Sequence, residues 1–141
     1  MRPIVIDASM AAAWTLDDEK SVAGERILHE VRAFLRITTT LFWHEYRSIL
    51  IANQKRRRVS QERIPAMLRE VRALEIAEYQ LDDDEVIIAL AFQYNLSAYD
   101  AAYLALALKE NAILATNDKK LAQAALTCGL ELRTVLDGIA S

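Results

Sequence analysis

The sequence predicts an α/β fold, in which a largely parallel sheet of about four or five strands is covered by helices on both faces. Two observations predict it. Short apolar runs rich in β-branched residues alternate along the chain with longer segments of three- and four-residue apolar spacing. The 141 residues include 3 Gly and 2 Pro, too few for the many tight turns of an all-β sandwich. We expect one domain over residues 1–141, because no linker or low-complexity segment divides the chain.

Four segments have the composition of strands. Each is a short run dominated by β-branched or other apolar residues, which is typical of a sheet covered on both faces. Helical segments separate them, as parallel strands require. The predicted strands are residues 3–6, 35–40, 112–116 and 130–136.

Seven segments favour helices, and several carry signals for their first residue. Ser60 is a suitable N-cap for the fourth helix. The pairs Asp82 with Glu85 and Ser97 with Asp100 have the spacing of capping boxes. The predicted helices cover residues 10–16, 21–34, 41–58, 61–74, 86–94, 101–109 and 117–126.

The composition excludes several classes of protein. The single cysteine, Cys128, has no partner for an internal disulfide, and His29 and His44 are too few to complete a structural zinc site with it. The 17 basic and 20 acidic side chains give a net charge of −3, which argues against a protein that coats nucleic acid indiscriminately. No apolar run approaches the roughly 20 residues that cross a bilayer, and no leader-like segment begins the chain. We therefore expect a cytoplasmic protein that does not contact membranes.

Acidic residues lie at or soon after the ends of the predicted strands. In a parallel α/β sheet, ligands bind outside the carboxyl ends of the strands. Asp7 and Asp118 come after strands, and Asp100 begins a helix in another connection. Glu45 lies on the helix after the second strand, at the edge of its apolar stripe. We expect these four carboxylates to meet at one end of the sheet.

Four carboxylates at one place require a cation. Two carboxylates about 5 Å apart repel by roughly 3 kcal/mol at an effective dielectric constant of about 20. Oxygen-only ligands suit Mg²⁺ or Mn²⁺, and a divalent ion removes the repulsion. Such an ion favours hydrolysis of a phosphodiester, because it lowers the pKa of bound water and neutralises charge that builds up in the transition state.

Each acid also has an ordinary structural role open to it. Aspartate between a strand and a helix is a common N-cap, and Asp100 has capping-box spacing with Ser97. Glu45 lies too far inside its predicted helix to cap it, and the alternative for this residue is a solvated glutamate beside Tyr46. Helix caps and a metal site are therefore both open interpretations of these residues.

Four short motifs surround these acids. They are Val5-Ile6-Asp7-Ala8-Ser9 followed by Trp14, Trp43-His44-Glu45 followed by Leu50, residues 97–107 (SAYDAAYLALA) and residues 114–121 (LATNDKKL). In order and spacing they resemble the motifs of the PIN domain, and within it those of the VapC toxins of type II toxin–antitoxin systems. The resemblance spans nearly the whole chain and implies an α/β/α sandwich of the PIN-domain type.

The resemblance implies roles for the acids and for three neighbouring residues. The implied catalytic and metal-binding acids are Asp7, Glu45, Asp100 and Asp118. By analogy with the family, Ser9 and Thr116 orient ligands or bound water by hydrogen bonding, and Asn117 stands where some members have a further acid. Lys119 and Lys120 lie in a stretch where relatives carry an additional acid, which leaves open whether one or two ions bind.

The resemblance also implies an activity and partners. VapC proteins are Mg²⁺-dependent endoribonucleases, with Mn²⁺ as a substitute, and they cleave structured RNA such as tRNA. A cognate VapB-type antitoxin silences them by covering the acidic site. They commonly form homodimers, for which the apolar surplus of residues 41–74 would provide a surface.

Other functions stay open on the sequence alone. A non-catalytic PIN-like module that binds RNA or protein would share the fold, but we expect it to have lost one or more of the four acids, which are all present. A haloacid-dehalogenase-type phosphatase needs Asp-x-Asp after the first strand, where this chain has Asp7-Ala8-Ser9. A receiver domain needs paired acids before its first helix, and the sequence does not match this pattern cleanly.

A basic run ends the third predicted helix. Lys55, Arg56, Arg57 and Arg58 could contact RNA phosphates near an acidic centre that otherwise repels RNA. Cations at a helix C-terminus also interact favourably with the helix dipole. A structural role is therefore the alternative for this run.

Two tyrosines and a histidine stand beside the acids in the sequence. Tyr99 and Tyr103 flank Asp100, and we expect both to pack on the helix that carries it. His44 adjoins Glu45 but projects about 100° away around the helix. We therefore do not assign His44 as a general base.

Overall fold

A parallel sheet with helices on both faces forms the centre of the computed structural model, which describes residues 1–139. The strands are β1 (Pro3–Ile6), β2 (Leu35–Thr39), β3 (Ala77–Tyr79), β4 (Ile113–Ala115) and β5 (Leu132–Arg133). Neighbouring strands are parallel in the order β3-β2-β1-β4-β5, and Val5 of β1 pairs with Ile37 and Leu114. This arrangement confirms the predicted α/β class.

Helices connect the strands and cover the sheet. Within residues 1–139 they are α1 (Ala8–Thr15), α2 (Val22–Val31), α3 (Phe42–Lys55), α4 (Ile64–Arg72), α5 (Asp84–Tyr94), α6 (Ala98–Glu110) and α7 (Lys119–Thr127). A 3₁₀ turn over Gln61–Arg63 precedes α4. Helices α1 to α4 lie over one face of the sheet, and α6 and α7 over the other, with α5 packed against α6.

The central strand β1 is buried on both of its faces. Ile4 and Ile6 pack into one core with α1, α2, α3 and α4, whereas Val5 packs into a second core with α6 and α7. All three side chains are fully buried. A strand covered on both faces is apolar at successive positions, which explains the continuous apolar run in the sequence. The residue that follows, Asp7, consequently lies at the middle of the sheet edge.

Two strands differ from the sequence prediction. In the described chain, the strand predicted over residues 130–136 is reduced to the two residues of β5. The chain leaves the sheet there because Thr134 and Val135 donate hydrogen bonds to Asn117. The prediction also misses β3, an edge strand in which Ala77 and Glu78 are exposed and no apolar pattern marks the segment.

Two of the predicted helix caps are wrong. The Ser60 hydroxyl receives no capping hydrogen bond from residues 1–139, because the 3₁₀ turn separates it from α4. Asp83, rather than Asp82, caps α5, and its carboxylate accepts a hydrogen bond from the Val86 N–H at 3.2 Å. Both differences move a helix start by a few residues and leave the order of the elements as predicted.

Three of the large apolar side chains that stay exposed lie on α5. Val86, Ile88 and Phe92 face solvent, and Phe92 is 84% exposed. The large apolar side chains of residues 41–74 are buried or partly buried, apart from Ile51. The surface that we expected there for a dimer is therefore largely used by the core. None of the helices in residues 1–139 combines the length and the apolarity that a membrane span needs.

Candidate metal centre

The four predicted acids lie at the carboxyl edge of the sheet. Asp7 directly follows β1, and Asp118 is in the short connection between β4 and α7. Glu45 is in the first turn of α3, which follows β2, and Asp100 is in the first turn of α6. The elements therefore place all four acids toward the same edge of the sheet.

Asp7 is held by hydrogen bonds from three residues. Its Oδ1 accepts a hydrogen bond from the Met10 N–H at 3.0 Å, which caps α1, and another from Ser9 Oγ at 2.7 Å. The Thr116 hydroxyl donates to Oδ2. Asp7 is 3% exposed, so both the position and the orientation of this carboxylate are fixed.

The hydroxyls of Ser9 and Thr116 also tie the loops after β1 and β4 together. Ser9 Oγ accepts a hydrogen bond from the Asn117 N–H at 2.9 Å, and Thr116 Oγ1 accepts one from the Asp118 N–H at 3.0 Å. Asp118 Oδ1 in turn caps α7 by accepting a backbone N–H at 2.9 Å. Asp7 and Asp118 are thus fixed relative to each other through neutral side chains.

The side chain of Asn117 contacts the segment that follows β5. Its Oδ1 accepts hydrogen bonds from the Val135 N–H at 2.9 Å and from Thr134 Oγ1 at 3.3 Å. The amide oxygen therefore anchors the segment after β5, and the backbone N–H of Asn117 makes the contact to Ser9. The sequence does not reveal this contact, because residues 134 and 135 have the composition of a strand although β5 ends at Arg133.

The environment of Asp7 disfavours its charged form. Burial raises the pKa of Asp7 to about 7, even though hydrogen bonds from Thr116 and Ser9 lower it. The negative charge of Asp100 raises the pKa of Asp7 further. No Lys or Arg side chain within residues 1–139 pairs with this carboxylate. A cation bound beside Asp7 would reverse this effect and favour the carboxylate.

Glu45 carries a buried oxygen atom without a partner. Its Oε1 is almost inaccessible to solvent and has no hydrogen-bond partner among residues 1–139. Burial raises the pKa of Glu45, and the Tyr103 hydroxyl lies close enough to lower it without reaching hydrogen-bond geometry. The charges of Asp100 and Asp118 raise the pKa of Glu45 as well. Glu45 is therefore within electrostatic reach of two further acids.

Asp100 contributes its backbone to a helix cap and its carboxylate to the acidic cluster. Ser97 caps α6, as its spacing predicts, because its Oγ accepts a hydrogen bond from the Asp100 N–H at 3.1 Å. The helix begins at Ala98, three residues earlier than predicted. Burial raises the pKa of Asp100, and the charge of Asp118 raises it further. The capping bond does not need the carboxylate of Asp100.

The donor chemistry of the cluster fits a hard divalent cation. The candidate ligands are carboxylate oxygens, which Mg²⁺ and Mn²⁺ prefer, and Glu45 Oε1 is an acceptor without a protein partner in the described chain. Within residues 1–139, no three His, Cys, Asp or Glu side chains converge closely enough to enclose an ion. Without a cation between them the negatively charged carboxylates repel one another, which favours a larger distance between them. The residues fit the ion by chemistry and by location, without forming a closed shell.

An exposed tyrosine borders the acidic cluster, contrary to expectation. Tyr99 is 53% exposed rather than packed on α6. It lines a surface groove of about 380 Å³ together with Leu41, His44 and Glu45. Tyr103, by contrast, is buried as expected. The sequence could not separate the two, because both flank Asp100 on one helix.

The basic run lies away from the acids. α3 ends at Lys55, so residues 56–58 follow the helix rather than belong to it. Glu45 and Lys55 are ten residues apart on this helix, which corresponds to about 15 Å along its axis. Arg57 and Arg58 line a separate surface cavity of about 440 Å³. The structure therefore does not bring this run to the acidic cluster.

Comparison with known proteins identifies the family. The chain matches the PIN domain family over residues 4–126. It is 32% identical to Ribonuclease VapC3 of Pyrobaculum aerophilum, over 85% of this chain and 92% of that protein. The crystal structure of PAE2754 from Pyrobaculum aerophilum has the same fold, with a TM-score of 0.69 at 22% identity, over 93% of this chain and 83% of the other. The chain therefore belongs to the VapC family of PIN-domain ribonucleases, as its four motifs predict.

Proposed function

We propose that this protein is a VapC-type toxin and a metal-dependent endoribonuclease, which hydrolyses phosphodiester bonds in structured RNA such as tRNA. One observation carries the proposal. Four acids at one edge of the sheet lie within electrostatic reach of one another, and within residues 1–139 the most buried of them, Asp7, has no basic partner. Membership of a ribonuclease family supports the same chemistry.

The proposed centre uses the acids together with their hydroxyl supports. The proposed catalytic and metal-binding residues are Asp7, Glu45, Asp100 and Asp118. When bound, Mg²⁺ or Mn²⁺ supplies a water molecule of lowered pKa and neutralises charge on the phosphate. Asp7 offers a carboxylate that Ser9 and the start of α1 hold in place. The Thr116 hydroxyl donates to the carboxylate of Asp7 and accepts the backbone N–H of Asp118, so it orients both residues. Asn117 keeps this loop against the segment after β5.

The test is to map new RNA ends after incubation with the purified protein. Total RNA from the source cells is incubated with the protein in Mg²⁺ or Mn²⁺, and in parallel with excess EDTA. We expect discrete new ends in the metal-containing samples and none with EDTA. If no new ends form with protein that binds Mn²⁺ and carries no co-purified partner, the chain is a non-catalytic PIN-like module that binds RNA or protein.

The proposal includes partners and a compartment. A VapB-type antitoxin is the expected inhibitor, and the cytoplasm, where tRNA is found, is the expected site of action. A homodimer is also part of the proposal. Its best candidate surface is the exposed face of α5 that carries Ile88 and Phe92, which lie one helical turn apart, since exposed apolar side chains of this kind favour association.

A role for the basic run in RNA binding is a separate part of the proposal. We expect charge reversal of Lys55, Arg56, Arg57 and Arg58 to reduce the salt dependence of cleavage, because each phosphate contact contributes about 0.7 to the slope of log affinity against log salt for single strands. A loss of about 3 in that slope would indicate four contacts. The control is Arg26→Glu with Arg32→Glu, which changes one exposed residue on α2 and one directly after it. An unchanged slope would leave the run with a purely structural role.

A further inference from the structure

A buried tyrosine lies among the acids. Tyr103 is on α6, three residues after Asp100, so the two side chains project from neighbouring positions on one face of the helix. The Tyr103 side chain is 1% exposed. Its hydroxyl has no hydrogen-bond partner among residues 1–139. A buried hydroxyl without a partner is rare in folded proteins, and it points to a contact that forms only when the site is complete.

Glu45 Oε1 is the matching acceptor. It too is buried and unpartnered within the described residues. The Tyr103 hydroxyl acts on Glu45 as a neighbouring hydrogen-bond donor would, so the phenol and the carboxylate lie side by side. A phenol and a carboxylate are complementary, and a bond between them is of the strong, charge-assisted kind.

Thr39, at the end of β2, is a neighbour of the Tyr103 hydroxyl. The Thr39 side chain is 2% exposed, and its Oγ1 accepts a hydrogen bond from the Leu41 N–H at 3.2 Å. The hydroxyl proton of Thr39 is then available to the neighbouring Tyr103 oxygen. A phenol carries its proton at neutral pH, whereas an ionised carboxylate has none to donate. Tyr103 can therefore only donate toward Glu45.

We propose that Tyr103 is a positioning residue: its hydroxyl donates a hydrogen bond to Glu45 Oε1 and turns the other carboxylate oxygen toward the ion. This inference rests on the proposed function, because the orientation of Glu45 matters only if the acids bind a metal. Outer partners of this kind fix the orientation of a ligand without touching the ion.

Tyr46 provides a matched comparison in the same fold. It is also fully buried, but its hydroxyl lies 2.7 Å from Thr15 Oγ1 and so already has a partner. Tyr46 belongs to the core on the other face of the sheet, with α1 to α4. Tyr46→Phe therefore removes a buried phenol hydroxyl without touching the acidic cluster.

The experiment is a calorimetric titration of Mn²⁺, without RNA, into the wild type, Tyr103→Phe, Tyr46→Phe and Asp100→Asn. We expect Tyr103→Phe to bind Mn²⁺ about ten- to a hundredfold more weakly, which is the usual effect of losing an outer partner of a ligand. Tyr46→Phe should bind as the wild type does. RNA cleavage by Tyr103→Phe should recover at high Mn²⁺, since the missing bond weakens metal binding and leaves the remaining ligands in place.

The outcomes separate the inference from the function on which it rests. Wild-type Mn²⁺ affinity in Tyr103→Phe overturns the inference, whereas absence of Mn²⁺ binding by the wild type overturns the proposed function. In the Glu45→Gln background, Tyr103→Phe should have no further effect, and a full additional loss would contradict a role through Glu45. If Tyr103→Phe does not fold, 3-fluorotyrosine at position 103 replaces it: its ¹⁹F signal should shift when Mg²⁺ is added, and an unchanged signal overturns the inference.

Discussion

Asp100→Asn should abolish metal-dependent cleavage and leave the fold in place. Asparagine has nearly the same size as aspartate, and the bond that starts α6 runs from the backbone N–H of residue 100 to Ser97 Oγ. The substitution therefore removes a negative charge without removing the helix cap. A metal ion contributes several kcal/mol of transition-state stabilisation, so we expect the cleavage rate to fall by at least about a hundredfold.

The measurement for Asp100→Asn is single-turnover cleavage of a mapped target RNA. Thermal unfolding of the metal-free variant should match or exceed that of the wild type, because burial and the Asp118 charge both disfavour an ionised Asp100. Asp83→Asn is the matched control, since Asp83 also lies at a helix start but caps α5 with its side chain. Full cleavage by Asp100→Asn would reject its place in the metal centre.

Asp7→Asn should stabilise the metal-free protein above neutral pH while eliminating Mn²⁺ binding. Burial raises the pKa of Asp7 to about 7 in the folded chain, whereas an unfolded chain gives aspartate a pKa of about 3.9. Between about pH 4 and pH 7, Asp7 is therefore protonated more often in the folded state than in the unfolded state. The contribution of Asp7 to stability is therefore complete below about pH 4 and is lost as the pH rises to about 7.

The size of this change in stability follows from the difference between the folded and unfolded pKa values of Asp7. At roughly 1.4 kcal/mol per pKa unit, ionised Asp7 destabilises the metal-free fold by about 4 kcal/mol at pH 8. Asparagine carries no charge, and its oxygen can still accept the Met10 N–H and the Ser9 hydroxyl. Urea unfolding in EDTA at pH 4 and pH 8 should show the gain at pH 8 alone. Equal destabilisation at both pH values would show that the hydrogen bonds, rather than the charge, dominate at Asp7.

The sequence predicts most of the fold because the central strands carry a strong signal. β1 is covered on both faces and has a continuous apolar run, and β4 is buried along its whole length. The edge strands are harder to predict. Exposure removes the apolar pattern of β3. The hydrogen bonds that Asn117 accepts from residues 134 and 135 shorten β5. These are tertiary effects, which a local pattern does not contain.

The acids of the candidate site could also be located from the sequence, but their surroundings could not. Asp7 and Asp118 are found by their positions after strands, which the topology brings to one edge. The pairing of Tyr103 with Glu45 joins two helices that are distant in the chain, and no local spacing predicts it. The exposure of Tyr99 likewise depends on how α5 and α3 leave a groove beside it.

The hydrogen bond between Thr116 and Asp7 spans 109 residues of chain, and this has a consequence for synthesis of the protein. A ribosome adds about 5 to 20 residues per second, so about 5 to 20 s pass between the synthesis of Asp7 and that of Thr116. During that time the first acid exists without the strand that fixes it and without Asp118. We expect nascent and truncated chains to be harmless to the translation machinery that produces them. On the proposed function, cleavage activity therefore arises only after β4 and the loop that follows it have been translated.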